Sequence, residues 1–134
     1  MKSLTTKLMI AAAALVAAGV VSAQTMTADI PFAFQTSGKV MAAGTYRVNL
    51  RGPLGTVTIQ GVSVKGAVLA RPITHIDRKE ANAKLVFVCG RGPCSLVQAW
   101  PGYSEDGYLF STPKRDRNEE ASLSVVHLRP NAAD

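Results

Sequence analysis

Apolar and polar residues alternate along most of this chain. Ile30, Phe32 and Phe34 alternate with Pro31 and Ala33, Tyr46, Val48 and Leu50 with Thr45, Arg47 and Asn49, and Val57 and Ile59 with Thr56, Thr58 and Gln60. A period of two sends successive side chains to opposite faces, so each stretch predicts a strand with one buried face. Between them, Ser37-Gly38-Lys39, Ala43-Gly44-Thr45, Arg51-Gly52-Pro53-Leu54-Gly55 and Gly61 supply residues that let the chain reverse. Residues 62–70 continue the meander, with Gly66 expected at a bulge, and further strands are predicted over 85–89, 94–100 and 122–129.

Two stretches stand apart. Residues 76–84 hold good helix formers, from Asp77 through Ala83, but no apolar stripe, and read as an exposed connection. Residues 101–120 show no clear period apart from Tyr108, Leu109 and Phe110; long irregular loops are where a compact domain tends to carry function. About eight short strands and no amphipathic helix predict an all-β fold, a small antiparallel β-sandwich or barrel. Its core is expected to draw on Phe32, Phe34, Tyr46, Val48, Val57, Ile59, Val64, Leu85, Phe87, Leu96, Trp100, Leu123 and Val125. The first strand, over 25–34, starts beside a chain end and offers an edge for pairing with another chain.

The N-terminus lies outside this pattern. Lys2 and Lys7 precede an apolar run over residues 8–21, and Val21-Ser22-Ala23 presents small residues where signal peptidase reads them. Residues 1–23 are therefore expected to be a signal peptide cleaved before Gln24, leaving one domain over 24–134. As a helix, residues 8–23 would span only about 24 Å of a hydrocarbon core about 30 Å thick, which argues against a retained membrane span. No cysteine adjoins the cleavage point for lipid attachment. Export to the periplasm, the cell surface or the medium follows.

Charge then says little about partners. The 134 residues carry 15 Lys and Arg against 9 Asp and Glu, a formal +6, and the signal removes two of the basic residues. The rest are spread out; only Lys114, Arg115 and Arg117 sit together, followed by Glu119 and Glu120. That pattern reads as a solvated loop rather than a nucleic-acid stripe, and leaves weak binding of an anionic polymer as an alternative.

Two cysteines carry the most specific local signal. Cys89 and Cys94 flank Gly90-Arg91-Gly92-Pro93 in an expected hairpin, which would set the thiols opposite each other on adjacent strands. A disulfide is expected in an exported chain. Four intervening residues do not match the redox C-x-x-C spacing, and two thiols without neighbouring histidines make at most half a zinc site.

Catalytic constellations are sparse. His75, Asp77 and His127 could form a metal site or an acid–base pair in a small metal-dependent or hydrolytic enzyme if the fold brought them together. Glu105 and Asp106 are sequence neighbours, whereas a glycosidase needs carboxyls facing each other across a substrate. No G-x-S-x-G elbow, Walker loop, H-E-x-x-H or dinucleotide fingerprint occurs. Neither a catalytic residue nor a metal or other cofactor is assigned. Tyr103 and Tyr108, with Lys114, Arg115 and Arg117, mark the loop that could bind a ligand through aromatic faces and charge.

The residues Asp29-Ile30-Pro31-Phe32-Ala33-Phe34, Ala43-Gly44-Thr45-Tyr46-Arg47-Val48 and Lys84-Leu85-Val86-Phe87, with a strand ending in Trp100, resemble an uncharacterised family of small secreted bacterial all-β proteins. Ala42 and Ala99 depart from that pattern, where a proline and a valine are usual. The resemblance implies an exported β-domain and carries over no reaction, cofactor or catalytic residue. The expected function is that of a non-enzymatic binding or envelope protein, whose partner is another envelope protein or a polysaccharide.

Overall fold

The computed structural model describes residues 25–50, 55–102, 105–112 and 120–130, and of Lys79 the backbone alone. The described residues form two sheets that face each other across one apolar core. In the first, β1 (Thr25–Ile30), β4 (Gly44–Asn49), β5 (Val57–Gly61) and β6 (Ala67–Ala70) run antiparallel in that order, and the short β12 (Arg129–Pro130) lies outside β1. The second has the order β11 (Ser122–His127), β8 (Lys84–Cys89), β9 (Cys94–Trp100), β10 (Glu105–Leu109) and β7 (Thr74–Glu80). The hairpin β2 (Phe34–Thr36) and β3 (Lys39–Met41) joins this sheet through a parallel pairing of Phe34 and Gln35 with Cys94 and Ser95.

Strand alternation builds the core of the first sheet as expected. Met26, Ala28 and Ile30 pair with Val48, Tyr46 and Gly44, and Val48 and Ile59 continue the row to Val68, all on the inner face. Gly61 is required at the end of β5, because a Cβ there would fall 2.0 Å from the carbonyl oxygen of Val64. Aromatic rings bind the two sheets together. Tyr46 meets Phe34 at 5.2 Å between centroids, Phe34 meets Phe87 at 5.6 Å, and Phe87 meets Phe32 at 5.1 Å, all edge to face. Such pairs add about 0.5–1.5 kcal/mol beyond the area they bury. The Tyr46 hydroxyl donates to the Ala42 carbonyl, and burial raises its pKa above 10.0, so the phenol is neutral at ordinary pH.

Four expectations change. The stretch beginning at Ile76 is not a connection: β7 forms over Thr74–Glu80 and pairs with β10, itself a strand inside the expected irregular loop. These segments have weak strand propensity, and their ladder is broken by a bulge at Asp106 and Gly107. Trp100 is fully buried yet lies on the far side of the second sheet from the core. Leu123 and Val125 are not core residues at all; Leu123 is 71% exposed and Val125 48%. Finally, β1 is an edge in part only, since β4 flanks one side along its length and β12 covers Met26 and Thr27 on the other.

Candidate functional site

Cross-strand register defines what the outer face of the second sheet presents. Val125 of β11 lies opposite Val86 of β8, which lies opposite Gln98 of β9, which lies opposite Leu109 of β10. The next row runs His127, Lys84 and Trp100, and a third pairs Leu123 with Val88. Leu85 and Phe87, on the other face of β8, go to the core. The run Leu85-Val86-Phe87-Val88 is thus apolar on both faces of its strand, a pattern characteristic of strands that are covered on both sides.

Part of the outer face is already covered by the protein itself. The Trp100 indole lies flat against Gly107, where a Cβ would come within 2.5 Å of the ring, so glycine is needed there for close approach. Arg78 and Lys84 sit over the same ring, with the guanidinium carbon 5.0 Å and the ammonium 5.9 Å from its centroid. Glu80 holds both cations, at 3.2 Å from Arg78 and 3.7 Å from Lys84. The indole N–H donates to Oε1 of Gln98 at 3.0 Å, which satisfies the one polar atom of the ring. These contacts leave Trp100 as a buried anchor rather than a stacking platform for a ligand. The exposed apolar surface lies beside it, at Leu123 and Val125.

The disulfide closes one end of this sheet. Cys89 and Cys94 are bonded at the β8–β9 hairpin, as the spacing predicts, and the Cys89 sulfur lies 3.5 Å from the Ser124 hydroxyl of β11. A groove of about 620 Å³ runs beside it, between Cys89-Gly90-Arg91 and Glu120-Ala121-Ser122. A second groove, of about 410 Å³, lies over Asp29-Ile30-Pro31 and Ala43-Gly44-Thr45.

The histidines do not meet. His75 lies on β7 and His127 on β11, the two edges of the same sheet, four strand spacings or about 19 Å apart. His75 instead packs its ring 5.1 Å from that of Tyr108, its cross-strand neighbour. Among the described residues no three His, Cys, Asp or Glu side chains are placed to hold a metal. Of the expected binding loop, Tyr108 is a half-buried strand residue, and Tyr103, Lys114, Arg115 and Arg117 lie outside the described residues. Glu105 and Asp106 are consecutive on β10 and so point to opposite faces.

Arg78, Lys84, Leu123 and Val125 carry the most distinctive surface of the described chain, and sequence reasoning assigned none of them to a site. The unbroken run 85–88 was the available signal, because an ordinary half-buried strand alternates. With this geometry in hand, comparison with known proteins returns nothing: no family model, no curated protein and no solved structure matches the chain. The class defined is a two-sheet all-β sandwich closed by one disulfide, with an apolar, partly covered outer face on one sheet. No helix among the described residues is long and apolar enough to cross a membrane.

Proposed function

We propose that this chain is an exported, non-enzymatic binding domain of the cell envelope, and that the outer face of its second sheet, next to β11, engages another polypeptide. One observation carries the reading: Leu123 and Val125, two large apolar side chains, stand exposed side by side on that face, next to Val86 and Val88. Soluble domains expose single apolar residues freely, but a contiguous patch with a polar rim marks an interaction surface. The rim here is His127 and Lys84, which continue the same face past Val125 and Val86. The disulfide favours an oxidising compartment, and the signal-like N-terminus accounts for export. The enzymatic alternative built on His75, Asp77 and His127 loses support, because its two imidazoles lie on opposite edge strands.

The test is site-specific photocrosslinking in cells that export the full-length chain. A photoreactive residue at position 123 is expected to give discrete polypeptide adducts, whereas one at position 60, on the polar outer face of the first sheet, gives none. Equal labelling from both positions, or no adduct from 123, would overturn the reading.

A further inference from the structure

We propose that β11 is a docking edge for β11 of a second copy of this chain, the two strands pairing antiparallel so that the two second sheets join into one. This inference rests on the binding reading above and names its partner.

Sheet edges invite pairing because alternate N–H and C=O groups point outward without a strand beside them, and proteins block them with charge, bulges, proline or short length. Every other strand that ends a sheet in the described chain carries such a block. β12 has only two residues, one of them Pro130, which has no N–H to give. β6 has four residues and β3 three, beginning with Lys39. β7 carries Asp77, Arg78, Lys79 and Glu80 and faces a bulge. The strand β11 has none of these. It is six residues long, pairs residue for residue with β8 from Ser122 to His127 without a bulge, and contains no Lys, Arg, Asp, Glu or Pro. Among the described residues no strand is paired along its other side.

The sequence of β11 is also complementary to itself. A two-fold axis normal to the sheet through Ser124 sets Leu123 against Val125 of the second copy and Val125 against Leu123 on the outer face. There too His127 meets the small Ala121, while on the inner face Ser124 is set against Ser124 and Ser122 against Val126. Opposed residues share a face, so two apolar pairs form on the surface that each monomer leaves exposed. Charge favours this edge over the others. The chain is net positive, so two copies repel in general, but the β11 ladder opposes no like charges, whereas the same symmetry applied to β7 would bring charged side chains against one another.

Sedimentation velocity of the protein as recovered after export, over a concentration series at low and high salt, tests the inference. The wild type is expected to show a monomer–dimer equilibrium that high salt preserves or strengthens, since screening relieves the repulsion between copies. Leu123→Lys or Val125→Lys is expected to raise the dissociation constant by on the order of tenfold, while Gln60→Lys leaves it unchanged. Both β11 positions are exposed, so the folded state should survive the change, which circular dichroism checks. Amide exchange in β11 should slow as protein concentration rises. A protein that stays monomeric at every concentration, or a dimer indifferent to both lysine variants, overturns the inference. A monomer that still crosslinks through position 123 to a different polypeptide sinks self-pairing while leaving the binding reading intact; a monomer with no adduct at all sinks both.

Discussion

On the outside of the first sheet, one cross-strand row runs Thr25, Asn49 and Thr58 before ending in Leu69, and the next runs Arg129, Thr27, Arg47 and Gln60. On the outside of the second, Leu123 stands beside Val88 and Val125 beside Val86, and a buried tryptophan fills the next row. Both sheets bury apolar residues on their inner faces, so core formation alone does not distinguish them. What differs is the second face. Hydroxyls, amides and charges keep the first sheet solvated, and Asp29 there accepts hydrogen bonds from Arg129 at 2.6 Å and from Thr45 at 2.9 Å. The second sheet spends part of its outer face on a cation-capped indole and leaves the rest apolar, which is costly in water unless something covers it.

The largest expected effect tests whether the outer face of the second sheet is a true second core. Trp100→Ala should cost about 3–5 kcal/mol and lower the melting temperature by on the order of 15 °C, as for a core aromatic. A drop smaller than about 4 °C would show that the indole is merely covered and that the two outer faces are energetically alike. Replacing both Cys89 and Cys94 with serine should cost about 2 kcal/mol by freeing the β8–β9 end in the unfolded chain. That loss should appear as faster amide exchange in β8 and β9 and leave β4 and β5 little changed; uniform loosening of both sheets would contradict the contrast. The smallest effects belong to the first sheet. Gln60→Ala should change stability by no more than about 0.5 kcal/mol, and Asp29→Asn by no more than about 1 kcal/mol, less at high salt because both partners of the Arg129 pair are more than half exposed. A cost near that of Trp100→Ala at either position would erase the distinction.

Much of the first sheet was legible in the sequence. Tyr46, Val48, Val57 and Ile59 alternate with polar residues and all face the core, since a sheet with one wet face writes its burial directly into the period. The disulfide was legible for a similar reason: a four-residue spacer in a hairpin leaves two thiols few other places to be. The second sheet was harder to read. β7 ends in Asp, Arg, Lys and Glu, and its pairing with β10, which the chain reaches much later, makes that stretch a strand. The candidate site was almost illegible. Leu123 and Val125 alternate with polar neighbours just as core residues do, and their outward placement follows from the register of β11 on β8.

Composition and period therefore determined that the chain is all-β, where most of its strands lie and that its two thiols can meet. Tertiary structure decided which of two faces each strand turns inward, which edges were covered, and that the two histidines stay apart. The physical reason is that period two labels two faces without naming the buried one. A register shift of one residue exchanges them, and that choice is made by the summed burial of all the strands in the sheet. In β11 the sum favours Val126, inside against the core, and leaves Leu123 and Val125 on the surface.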